Sequence, residues 1–148
     1  MSADEKVAKD LVETLKDGRK GFASAAEKLR DSDSPEVAAT LERLSEQRAA
    51  FARDIVAMGH AYGEDVDESG SVAGTLHRGW LALKDALTGD DASGVLGAAV
   101  TGEDHAVSEY EKALAEDDLS DGFRAVVQQQ HAAIVTARDE VKALQRLT

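Results

Sequence analysis

The sequence predicts an all-α fold: an antiparallel bundle of four long helices, with a short extra helix in the connection between the second and third. Two observations carry this. Each apolar segment recurs at steps of three and four residues, the period of a helix face, and not at the alternation of a strand. The breaks between segments fall at clusters of Asp, Ser and Gly, and the one proline, Pro35, stands where a helix begins. Hydrophobic residues make up 43% of the 148-residue chain and aromatics only 4%, so the core is built of Leu, Val and Ala. A chain of this size fits one domain, residues 1–148, around one core.

The first helix is expected from Ala3 to Arg30, with Val7, Leu11, Leu15, Gly18, Phe22, Ala25 and Leu29 on one face. The second starts with Ser34 as N-cap and Pro35 at its first position. Its stripe is Val37, Leu41, Leu44, Arg48, Phe51, Ile55 and Met58, and Gly59 stops it. Residues 62–70 are polar and acidic, a loop. A shorter helix is expected over residues 71–87, with Val72, Leu76, Trp80, Leu83 and Leu87 aligned. Asp90 is the expected cap of the next long helix, which carries Val95, Ala99, Glu103, Ala106, Tyr110 and Leu114. The last helix runs on Phe123, Val126, Gln130, Ile134, Ala137, Val141 and Leu144. Four long helices with a crossover between the second and third make the ferritin-like arrangement.

Charge and composition narrow the function classes. The net charge of −12 disfavours a nucleic-acid partner, because phosphate binding needs a basic surface, and disfavours an anionic membrane. No cysteine is present, which removes disulfides, thiolate metal sites and cysteine nucleophiles. The charged start of the chain lacks an apolar signal region, and no apolar run reaches the roughly 18 residues of a membrane span. The expected setting is cytoplasmic.

Helical phase then places the polar residues. Glu13, Glu27 and Glu46 point away from their stripes, whereas Arg48, Glu103 and Gln130 lie within theirs. Lone charges in a core are too costly to persist, so Arg48 is expected to pair with Glu103 across the bundle, with Gln130 bonding what remains. The plainer role for such a cluster is to fix helix register; the sharper one is a functional polar pocket. A carboxylate-bridged di-iron centre takes Glu-x-x-His motifs from two helices, and this chain has none. No metal, cofactor or catalytic residue is therefore expected. His60, His77, His105 and His131 read as surface residues, with Asp104 and His105 a weak cation site at most. Around the only tryptophan, His77, Arg78, Trp80 and Lys84 allow two readings. Gly74 and Gly79 let the short helix lie tightly on the bundle with Trp80 as a plug, or these side chains form a contact surface.

Several of these residues resemble a known family. Its opening helix is similar to Leu11, Val12, Glu13, Thr14, Leu15, Lys16, Asp17 and Gly18 with Phe22 and Ala26. Its central signature resembles Gly70, Ser71, His77, Arg78, Gly79, Trp80 and Lys84 followed by Thr88, Gly89, Asp90 and Asp91, and then Gly102, Glu103, Asp104, Tyr110, Ala113 and Leu114. This is the bacterial domain-of-unknown-function 2383 family of ferritin-like four-helix bundles, and the resemblance spans nearly the whole chain. It implies the fold strongly and the function weakly: members are linked to stress responses without an established activity. The last helix departs from the pattern, with Arg138 where a histidine is common and Gln128 near a common acid, so a family metal site at those positions would be lost here. The expectation is a non-enzymatic bundle with a binding or structural, stress-related role, with self-association as a dimer open to it. The alternative is a ferritin-like metal-binding protein, for iron storage or oxidation, with a degenerate site.

Overall fold

The computed structural model describes residues 2–32, 34–59, 78–89 and 91–148, with Arg78 by its backbone alone. Among these there are five α-helices and no strand: α1 (Ala3–Arg30), α2 (Pro35–Ala57), α3 (Leu81–Ala86), α4 (Ala92–Leu114) and α5 (Asp121–Leu147). A single 3₁₀ turn, Arg78–Trp80, leads into α3. Of the short helix expected over residues 71–87, residues 71–77 lie outside the described residues.

The helix ends follow from local chemistry. Ser2 caps α1, its hydroxyl accepting from the Glu5 amide at 3.1 Å. Asp91, not Asp90, caps α4 and accepts from the Ser93 amide at 3.0 Å; Asp90 is outside the described residues. A carboxylate can reach the first free amides only from the residue next to the helix, which Asp91 is. Arg124 donates to the carbonyls of Leu114 and Glu116 at 3.0 and 2.6 Å, closing the end of α4. Asp4 accepts from the Ser120 amide at 2.9 Å and ties the start of α1 to the start of α5.

The buried faces give the directions of the helices. The first half of α1, the second halves of α2 and α4, and the first half of α5 share one apolar cluster around Leu11, Leu15, Ile55, Tyr110 and Phe123. The opposite halves share a second cluster around Phe22, Leu41, Leu44, Val95 and Val141. Hence α1 is antiparallel to α2 and to α4, α4 is antiparallel to α5, and α2 and α4 run the same way. α1 packs along both α2 and α4, while α5 packs along α4 and touches α2 more sparingly. An exposed ion pair, in which one Arg43 guanidinium nitrogen donates to both carboxylate oxygens of Glu140 at 2.8 and 2.7 Å, stitches α2 to α5. In the first turns of α5 the residue buried after Phe123 is Val127, while Val126 is only partly buried. A step of four from Phe123 fits the buried face where the expected step of three does not.

α2 ends in a left-handed residue. Gly59 has φ of +83°, and no described residue beyond its chain neighbours stands within 4 Å of where its Cβ would be, so the left-handed backbone is what calls for glycine. Gly59→Ala is expected to lower stability by about 1–2 kcal/mol in urea titrations, the cost of a side chain in left-handed backbone.

Candidate functional site

The two apolar clusters meet at a polar waist. Arg48 of α2 and Glu103 of α4 face each other across the diagonal of the bundle, 1% and 0% exposed. The fork is bidentate: one guanidinium nitrogen donates to Oε1 and the other to Oε2, the latter at 2.7 Å. Nε of Arg48 donates to the Gln47 side chain at 3.2 Å. The guanidinium carbon lies 5.1 Å from the centroid of Phe22, a cation–π contact from α1. The stem of Arg48 crosses α1 at Gly18, its Cγ only 3.5 Å from where a Cβ would stand. Three helices thus fix one cation, and its charge is met by one carboxylate.

Gln130 does not complete this pair. It accepts from the Tyr110 hydroxyl at 2.6 Å and donates to the Phe51 carbonyl at 3.2 Å. The physical reason is the phenol: a buried Tyr hydroxyl needs a partner, and the nearest turn of α5 supplies it. Burial pushes the Tyr110 phenol far above its ordinary range, with the positive charge of Arg48 pulling the other way. Tyr110 is the polar member that helical phase left unassigned. The available signal was an aromatic hydroxyl on a stripe facing a glutamine on a stripe.

Trp80 is not part of an exposed contact surface. It is 2% exposed, its ring seated in a slot between α1 and α4. A Cβ on Gly21 would stand 2.2 Å from the ring and one on Gly102 2.3 Å, so only glycine on both helices admits it. The ring meets Phe22 edge-on with centroids 4.9 Å apart. Gly79 rests on His105, where a Cβ would fall 2.4 Å from that of the histidine. Lys84 is exposed; His77 and Gly74, like the side chain of Arg78, lie outside the described residues.

Of the four histidines, His105 and His131 are described, and each stands beside a different carboxylate. His60 is outside the described residues. His105 Nε2 stands 3.6 Å from Glu109, and His131 Nε2 stands 3.9 Å from Glu111. Asp104 faces Arg138 at 3.4 Å, which places a cation beside the carboxylate of the weak site considered for Asp104 and His105. Among the described residues no three His, Asp or Glu side chains are grouped to hold a metal ion. A groove of about 520 Å³ between α1 and α2 is lined by both signs of charge, Arg19, Arg30 and Arg53 with Glu27, Glu42 and Glu46.

The model of a family described as a domain of unknown function, DUF2383, matches residues 5–116. The chain belongs to this family. No curated protein matches it significantly. The DUF2383 match takes in α1 to α4, and with them Arg48, Glu103, Tyr110, Trp80 and the two slot glycines. It ends before α5, so it is narrower than the near-complete resemblance expected, and Gln130 and Arg138 stand outside it.

Two measurements test this geometry. Arg48→Met and Glu103→Gln should each cost about 3–5 kcal/mol in urea titrations, because each strands a buried partner, whereas an exposed pair is worth about 0–1 kcal/mol. The double variant should lose less than the sum. Tyr110 makes a pH prediction. Its folded phenol titrates above the unfolded value near 10, so its contribution is full below pH ~10 and falls above it, by up to about 1.4 kcal/mol per pH unit. The stability advantage of the native chain over Tyr110→Phe should therefore shrink between about pH 10 and 11 and be constant between about pH 7 and 9.

Proposed function

We propose that this DUF2383 protein is a non-enzymatic helical bundle with a binding or structural role, whose interior polar group sets the alignment of its helices. The observation that carries the reading is the guanidinium at the centre of the bundle. Both oxygens of Glu103 are engaged by Arg48, so a metal ion drawn to that carboxylate would have to displace a cation and then share a dry interior with it. The ferritin-like arrangement belongs to this reading. It is supported by the shared direction of α2 and α4, which requires the chain to travel the length of the bundle between them. No helix among the described residues is long and apolar enough to cross a membrane. A bacterial, cytoplasmic and stress-related setting, with self-association as a dimer, completes the proposal. Its support is the family resemblance and an acidic sequence without cysteine.

Metal analysis of protein purified aerobically without chelators tests the reading. The expected result is no stoichiometric iron, and ferrous oxidation no faster than in buffer. Iron near two per chain, with accelerated oxidation, would replace this proposal with a ferritin-like metal centre.

A further inference from the structure

The helical segment that carries Trp80 is held differently from the rest of the molecule. Among the described side chains of residues 79–89, Trp80 and Leu83 are buried, while Ala86 and Leu87 pack part-exposed against the core. Leu81, beside the seated ring, is 62% exposed. α3 has 6 residues, far too few to hold helical structure in water without docking. The four long helices bury a stripe along their whole length and meet in two clusters, which makes them one cooperative unit; Trp80 and Leu83 dock into the second of these clusters.

The receiving surface belongs to that unit. Gly21 on α1 and Gly102 on α4 are neighbours across a seam that the long helices form among themselves, and Trp80 enters it from a separate segment. The ring thus relates to the slot as a ligand to a pocket, tethered to the same chain. It also touches Phe22, which carries the guanidinium of Arg48 on its other contact.

We propose that residues 78–89 form a releasable clasp, latched by Trp80, that undocks while the four long helices stay folded. Undocking vacates the glycine slot and uncovers Phe22 beside the buried ion pair. The clasp is therefore a built-in switch: docked, the seam between α1 and α4 is closed; undocked, it presents an apolar slot of indole width. This goes beyond the alignment role of Arg48 and Glu103 and does not depend on it.

Trp80 is the sole tryptophan, so its emission reports the latch while far-ultraviolet ellipticity reports the bundle. In a urea titration of the native chain the red shift of Trp80 should have its midpoint at lower urea than the loss of ellipticity. Trp80→Ala should leave the ellipticity midpoint unchanged, because the bundle already melts with the clasp undocked. Gly102→Ala, which puts a methyl 2.3 Å from the ring, should show red-shifted emission without urea and native ellipticity. Coincident emission and ellipticity midpoints in the native chain would overturn the proposal, since two probes of one all-or-none transition coincide. So would a Trp80→Ala midpoint lowered as far as that of a core truncation.

Discussion

Among the described residues, one fully buried ion pair lies at the waist of this bundle. Arg48 and Glu103 sit on the diagonal helices α2 and α4, between two apolar clusters that would otherwise be one continuous core. Apolar contacts are non-directional and tolerate a helix sliding by a turn; a bidentate fork is not so permissive. The rest of the waist follows from hosting the fork. Gly18 lies against the arginine stem, Phe22 offers its ring to the guanidinium, and Gln47 takes the remaining Nε donor. Desolvating two charges is costly, and the pair persists because each charge meets the other in good geometry.

Small residues at chosen points do the complementary work. Gly21 and Gly102 accommodate Trp80 from the connecting segment, whereas a side chain at Gly18 would stand in ordinary contact with Arg48. α1 thus meets a cation and an indole on neighbouring turns. Phe22 stands between them and touches both, which joins the polar waist physically to the segment that closes the seam.

The helices were legible because their spacing is strict. The bounds expected for the first helix, Ala3 to Arg30, are those of α1, and Pro35 opens α2 where its fixed φ suits a first turn. The polar interior was legible for the same reason: one arginine and one glutamate interrupt otherwise apolar stripes, and phase alone brings them inside. What phase does not encode is lateral neighbourhood. Gln130 lies on the right face but one turn away from the pair, and bonds Tyr110 instead. The Trp80 slot was hidden because its glycines, Gly21 and Gly102, lie on two helices far apart in sequence, whereas Gly74 and Gly79 are the ones close to the tryptophan along the chain. The cap of α4 shifted by one residue, from Asp90 to Asp91, within the ordinary uncertainty of helix ends.

The central claim is that the pair specifies one alignment of four helices and is not needed to hold them together. Replacing both members with apolar residues separates the two, because buried ion pairs are often matched in stability by hydrophobic side chains of similar size. The decisive measurement is the amide and methyl NMR spectrum of the double variant Arg48→Met/Glu103→Leu. The account predicts a helical protein of native or higher stability whose core methyl resonances are broadened or doubled by alternative helix alignments. A single set of sharp, native-like resonances would contradict it, since the bundle would then find its register without the pair.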